Sequence, residues 1–173
     1  IKEWLYQLIN DRQAVKSPKS YNSQTGVPLS VWQIKEGDQL GIFEAGISRP
    51  HEMEALQKII RPDIGLFTTL GDAHNEGFED QATKLAEKLI LFKDAKTIIF
   101  NADNIEVRNA IKHKFGDRNL LSWGKSSDAT LFQILDVVIT SHDSRIDILF
   151  QKKLNTIHIP FSDVASIENA LHC

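Results

Sequence analysis

A carboxylate, an imidazole and a primary amine stand along the middle of the chain where chemistry could be done. Glu44 lies in Phe43-Glu44-Ala45-Gly46, His74 in Asp72-Ala73-His74-Asn75-Glu76-Gly77-Phe78, and Lys88 opens Lys88-Leu89-Ile90-Leu91-Phe92. Glu44 ends one apolar run, His74 follows the next, and Lys88 falls on the helical pattern after that. Such a series can converge at one edge of a parallel sheet, where α/β proteins bind ligands. A strand-end carboxylate can hold Mg²⁺, a hard cation that prefers oxygen. Taken singly, each residue also has an ordinary reading. A Glu at a strand end can be structural, and a loop His can be hydrogen-bonded in place. A helical Lys can lay its stem on apolar surface and keep its charge in water.

The elements that must position these residues read as an α/β alternation. Ile1, Trp4, Leu5, Leu8 and Ile9 share a helical face over residues 1–10. Residues 16–28 form a polar loop, and a helical pattern starts at Leu29 to Ile34. Leu40 to Phe43 reads as a buried strand, 51–60 as a helix closed by Arg61-Pro62, and Ile64 to Leu70 as a second strand. A helix follows over 79–93, then a strand at Thr97 to Phe100 and a helix over 104–114. Strands alternating with helices predict a parallel sheet with right-handed crossovers. After about residue 118 the pattern changes. Leu120 to Trp123 reads as one more parallel strand. Thr130 to Ile139, Arg145 to Phe150 and Thr156 to Ile159 then follow with short connections, Ser141-His142-Asp143-Ser144 being a turn by composition. This predicts an antiparallel meander appended to the parallel sheet. A last helix with Ile167, Ala170 and Leu171 is capped by Ser162 or Asp163. The organisation expected is a parallel α/β part over 1–124 and antiparallel strands with a final helix over 125–173.

Composition narrows the class. The 173 residues suffice for one domain with a real core, and the 42% hydrophobic and 25% charged content is ordinary for a soluble globular protein. A formal net charge of −3 offers no bulk attraction for nucleic acid or anionic lipid. The Lys112-His113-Lys114 cluster reads as a solvated helix face. The single cysteine, Cys173, rules out an intramolecular disulfide framework and fits a reducing, cytoplasmic setting. No apolar run approaches the roughly 20 residues that span a bilayer, and no signal peptide opens the chain.

These motifs, in this order, resemble the central, ATP-binding domain of the Mur ligases, which build the peptide stem of peptidoglycan. Within that family the resemblance is to the members that add D-alanyl-D-alanine. They show Ala-His-x-Glu-Gly-Phe, matched by Ala73-His74-Asn75-Glu76-Gly77-Phe78, and then a Lys opening Lys-x-x-x-Phe. Lys88 fits both that pattern and the interval from the histidine (88 − 74 = 14), while Lys84 lacks the phenylalanine four residues on. The resemblance implies a P-loop NTPase-like fold. It also implies that Glu44 and His74 help bind Mg²⁺ and that Lys88 is carbamylated, its carbamate serving the metal. Tyr21-Asn22-Ser23-Gln24-Thr25-Gly26-Val27-Pro28 is similar to the family's Asn-rich loop, which would put Asn22 near the phosphates or the acyl substrate. Asn101-Ala102-Asp103-Asn104 is similar to the family's stretch after the third strand. The implied reaction joins UDP-N-acetylmuramoyl-tripeptide to D-alanyl-D-alanine through an acyl phosphate formed with ATP. A fused alanine racemase occurs in some members, and nothing in these residues reports on one.

The chain departs from the family pattern in three places. Ile1-Lys2-Glu3 looks like the helix start that follows the phosphate loop, so that loop and the first parallel strand would lie upstream. The expectation is therefore a sheet lacking that strand, with exposed apolar neighbours, and an isolated chain that is inactive. The family's adenine-binding His-Asn-x-x-Asn is matched by Ala165-Ser166-Ile167-Glu168-Asn169, which keeps only Asn169. His51 stands where the family usually has Gly. Two other readings stay open: a Mur-type ligase for another substrate, such as a tripeptide-forming or folylpolyglutamate ligase, and a degenerate, non-catalytic binding module.

Overall fold

The computed structural model describes residues 1–9, 13–71 and 77–173. The chain divides into two compact units, one of Ile1–Asp63 with Leu70–Ala95 and the other of Ile64–Thr69 with Lys96–Cys173.

The first unit holds α1 (Lys2–Leu8), β1 (Ala14–Lys16), α2 (Gly26–Val31), β2 (Leu40–Ile42), α3 (Glu52–Ile60) and α4 (Gln81–Lys88), which tightens into a 3₁₀ turn over Leu89–Phe92. Strands β1 and β2 pair in parallel as a two-stranded sheet, with Ala14 opposite Leu40 and Lys16 opposite Ile42. Its core gathers Val27, Ile47, Met53, Leu56 and Phe78, with Ile90 and Leu91 of the 3₁₀ turn packed against them. Two sequence expectations shift here. The run at Leu40 to Phe43 is not a buried strand: Leu40 and Ile42 are half-buried and Gly41 is exposed, because β2 has one partner strand of three residues. Helix α2 starts at Gly26, ahead of Leu29, and takes in Pro28, which a first helical turn tolerates since its N–H has no intrahelical acceptor. Strand β1 carries too few apolar residues to stand out in the sequence.

The second unit is a six-stranded sheet in sequential order, from β3 (Ile64–Phe67) through β4 (Thr97–Asn101), β5 (Asn119–Gly124), β6 (Phe132–Ile139) and β7 (Ser144–Phe150) to β8 (Lys153–Ile159). Pairing is parallel from β3 to β6 and antiparallel from β6 to β8. The mostly parallel sheet with an appended meander is the architecture expected from the sequence. The parallel strands nonetheless fall into two sheets, β2 ending one strand order and β3 opening the other. Helices α5 (Ile105–Phe115) and α6 (Val164–Leu171) complete this unit. Trp123, Ile134, Ile146, Ile148 and Ile167 form its core over β5, β6, β7 and α6.

Helix starts follow local chemistry. The side chains of Asp80, Asn104 and Asp163 accept from the backbone N–H of Thr83, Val107 and Ser166, capping α4, α5 and α6. Asp163, rather than Ser162, is thus the cap of the last helix. Among the described residues no helix is long and apolar enough to cross a membrane.

Candidate functional site

The loop after β1 meets Glu44, and Gly77-Phe78 packs on the segment that follows it. That loop brings Asn22, whose Nδ2 donates to Glu44 Oε1 at 2.9 Å. The same residue's carbonyl accepts from Gly46 N–H at 2.8 Å, so Asn22 holds the segment after β2 by both backbone and side chain. An added Cβ at Gly46 would come within 3.1 Å of Asn22 Nδ2, so a larger residue there would push the Asn22 amide away from its place. Glu44 N–H donates to the buried Ser17 hydroxyl at 3.2 Å, and Ser17 N–H donates to Ile42 O at 3.0 Å. These bonds hold the carboxylate at the exit of β2 while its side chain stays half-exposed.

Gly77-Phe78 makes the second of these contacts. A Cβ on Gly77 would lie 1.9 Å from Ser48 O, so the backbone of the Glu44 loop packs directly onto this glycine. Phe78 next to it is buried among Val27, Ile47, Met53 and Leu56. The Glu44 loop is also tied to α3. Glu52 accepts from Ser48 N–H at 2.7 Å and from Arg49 N–H at 3.0 Å, and these donors hold its carboxyl below the usual carboxylate range. Gln24 Nε2 donates to Glu52 O at 2.9 Å, joining the Asn22 loop to the same helix. His51, at the N-terminus of α3, has φ +68° and makes no side-chain cap.

Lys88 sits on the last turn of α4. Its Nζ donates to Leu70 O at 3.1 Å, and Lys84 Nζ, one turn earlier, donates to Gly71 O at 2.7 Å. Lys84 is 2% exposed. Burial, and then the Lys84 charge, lower the pKa of Lys88 below the ordinary lysine value. A larger fraction of Lys88 is therefore neutral amine at a given pH.

The sequence-predicted residues are placed as follows. Asn22 and Glu44 are brought into contact. Lys88 belongs to the same unit, beside Lys84 at the carbonyls that lead into the His74 segment. His74 itself lies outside the described residues. Asn169 is half-buried on α6, in the second unit. Among the described residues no group of three or more His, Cys, Asp or Glu is arranged to hold a metal.

Sequence reasoning missed Lys2 and Ser17, and it weighed Lys84 only as the alternative to Lys88. Lys2 is 8% exposed, and its ammonium donates to Lys19 O and lies 4.0 Å from Glu44 Oε2. One signal was available, since Lys2 shares a helical stripe with Leu5 and Ile9 (spacing i, i+3, i+7). A lysine in an otherwise apolar stripe is placed to bury its stem. Lys84 and Lys88, four residues apart, carried a similar signal. Ser17, in a polar loop, carried none.

Comparison with known proteins bears on the whole chain. The family model described as Mur ligase middle domain matches residues 1–173. A UDP-N-acetylmuramoyl-tripeptide–D-alanyl-D-alanine ligase from Borreliella burgdorferi is 30% identical over 105 residues, covering 60% of this chain and 23% of the relative. The enzyme of the same name from Buchnera aphidicola is 27% identical over 154 residues, covering 87% of this chain and 34% of the relative. The chain thus spans from under a quarter to about a third of the length of these two curated relatives. Among solved structures, MurF from Acinetobacter baumannii aligns over 99% of this chain and 38% of its own, with TM-score 0.86 at 16% identity. MurF from Thermotoga maritima in complex with ADP aligns over 98% of this chain and 40% of its own, with TM-score 0.82 at 25% identity. With the fold, the order of motifs and a full-length family match in agreement, the chain belongs to the Mur ligase middle domain family.

Proposed function

We propose that this chain is the ATP- and metal-handling domain of a cytoplasmic ligase that joins D-alanyl-D-alanine to UDP-N-acetylmuramoyl-tripeptide. The observation that carries this reading is the meeting of the Asn22 loop, the Glu44 loop and Gly77-Phe78 in one unit, with Lys88 on the helix that follows. The matched relatives bearing that ligase name and the ADP complex of the Thermotoga protein support it.

The reaction activates the tripeptide carboxylate as an acyl phosphate, releasing ADP. The amine of the dipeptide then attacks, phosphate leaves and an amide remains. Positioning and charge neutralisation carry such chemistry. The residues present fit Mg²⁺. Glu44 supplies a half-exposed oxygen donor, and Mg²⁺ is typically held through one or two carboxylates together with water and substrate phosphates. Glu44, His74 and a carbamate on Lys88 would hold the ion, which when bound would neutralise phosphate charge. Carbamylation joins the neutral Lys88 amine to CO₂ with loss of a proton, and the depressed pKa of Lys88 favours that neutral form. Asn22 orients Glu44 and offers its amide near the phosphates or the acyl substrate. Asn169 is the residue retained for adenine.

The test follows ADP release by the full-length protein with Mg²⁺, UDP-N-acetylmuramoyl-tripeptide and D-alanyl-D-alanine. Lys88→Ala is expected to lower turnover on the order of 100-fold, the scale of losing one charged stabilising group. A short-chain carboxylic acid is expected to restore part of it. Absence of dipeptide-dependent turnover in folded wild-type protein would sink the reading.

A further inference from the structure

Glu44 carries a resident cation. Its Oε1 is held by the Asn22 amide at 2.9 Å, and its Oε2 faces Lys2 Nζ at 4.0 Å. Lys2 is buried on the first turn of α1, and its ammonium is fixed by a hydrogen bond to Lys19 O. Among the described residues the other carboxylate within ion-pair distance of Lys2 is Glu3, at 3.6 Å, and Glu3 has a cation of its own in Lys16. The ammonium is therefore held beside Glu44 by its burial and by a backbone carbonyl, whether or not Glu44 binds anything else. Glu44 and Lys2 together are neutral. A divalent cation added to that pair meets an ammonium it cannot neutralise, unless an anion such as a nucleotide phosphate arrives with it.

We infer that Lys2 is the built-in counter-cation of Glu44 and opposes binding of bare divalent metal there, so that metal enters favourably only with an anionic ligand. This rests on the reading of Glu44 as a metal-holding carboxylate. Lys2 is then a positioning and charge-setting residue, acting through Glu44.

The sign of the effect separates this role from a structural one. Mn²⁺ binding to the full-length protein, read from the paramagnetic resonance of free ion without nucleotide, is the measurement. Lys2→Gln keeps a donor for Lys19 O and removes the charge. It is expected to tighten Mn²⁺ binding roughly fivefold or more, the scale of one ammonium acting on a nearby divalent ion in a well-solvated setting. Lys2→Arg is expected to bind as wild type does. Lys16→Gln, which removes a cation from Glu3 and not from Glu44, is expected to leave binding unchanged. In a Glu44→Gln background, Lys2→Gln is expected to have no further effect. Unchanged or weaker binding in Lys2→Gln, or tightening that persists without Glu44, overturns the inference. If Lys2→Gln fails to fold, Lys2→Met takes its place with the same expected sign. If Glu44→Gln alone leaves Mn²⁺ binding intact, the metal reading of Glu44 fails first and is recognised separately.

Discussion

The two units use buried polar groups in opposite ways. Among the described residues, Lys2, Ser17, Ser30, Gln57, Lys84 and Glu87 are buried in the first, and Ser122, Ser144 and His172 in the second. Both buried lysines and the buried glutamate are therefore in the first unit. Each has a partner there: Lys19 O for Lys2, Gly71 O for Lys84, and the N–H of Met53 for Glu87. Taking a charge out of water is costly unless it is paired and hydrogen-bonded. A unit that buries three charges fixes its loops by directional contacts, which suits the phosphate- and metal-holding site proposed for it. The second unit is ordered instead by strand register and an apolar core, and its strands run up to eight residues against three in β1 and β2.

Paired substitutions test that contrast most sharply. Ile146, fully buried on β7, stands for the second unit. Ile146→Ala is expected to cost about 3–4 kcal/mol, from lost burial and an unfilled cavity. Denaturant unfolding of the full-length protein reads this, with Mn²⁺ affinity unchanged. Gly77→Ala stands for the first unit, where the new methyl meets Ser48 O. It is expected to cost about 1–3 kcal/mol. On the proposed reading of Glu44 as a metal-holding carboxylate, it should also weaken Mn²⁺ binding about tenfold, the scale of losing a contact that supports a ligand. If Gly77→Ala loses stability alone, or Ile146→Ala alters metal binding, the division of labour is wrong.

Acid separates the units by a different route. His172 Nδ1 accepts from Trp123 Nε1 at 3.3 Å, and its Nε2–H donates to Thr68 O at 3.1 Å. The imidazole is thus satisfied in its neutral form, and burial depresses its pKa from 6.5 to about 4. Above pH 6.5 His172 is neutral whether the chain is folded or unfolded, so its contribution to stability is complete. Below 6.5 the unfolded chain takes up a proton that the folded one refuses until about 4. The contribution is therefore lost across that window, on the order of 2 kcal/mol. Glu52 in the first unit titrates below its usual value of 4.5 because backbone N–H groups hold its anion. Its contribution is lost as pH falls below about 4.5 and through the lower folded value. Denaturant unfolding measured between pH 7 and 4, in wild type and His172→Gln, should show a slope with pH that the variant lacks. An equal slope in both would remove His172 as the cause.

The second unit was the more legible in the sequence, for a physical reason. Thr97 to Phe100, Leu120 to Trp123 and Arg145 to Phe150 carry β-branched and aromatic residues in runs or alternation, and the structure extends each strand by only a few residues. Apolar patterning reports burial, and burial orders that unit. In the first unit the same logic misjudged Leu40 to Phe43 and passed over β1, because three-residue strands in a two-stranded sheet bury little. Asn22, Glu44 and Gly77 were legible through motif order. Periodicity could not say that Gly77 leaves room for Ser48 O, or that Ser17 and Lys2 hold the Glu44 loop. Those are contacts between residues far apart in sequence, made by polar atoms that leave no repeating pattern.

The smallest expected effect concerns a position where sequence and geometry disagree. His51 opens α3 at φ +68° and ψ 0°, in the left-handed region where a Cβ is strained by about 1–2 kcal/mol. Glycine relieves that strain and returns roughly 0.5–1 kcal/mol of it through the greater freedom of the unfolded chain. His51→Gly should therefore stabilise the protein by about 0.5 kcal/mol, seen as a slightly higher denaturant midpoint with the same slope. The bonds from Ser48 and Arg49 to Glu52 do not involve the His51 side chain, so the Glu44 loop should stay in place and Mn²⁺ affinity should not move. Destabilisation would mean that the imidazole contributes more than its backbone strain costs. Glu54 is the partner to test: the Lys58 ammonium does most to hold its carboxyl below the ordinary value, and His51 adds to that. If the effect of His51→Gly vanished in a Glu54→Gln background, the first unit would owe one more of its loop positions to a polar pair.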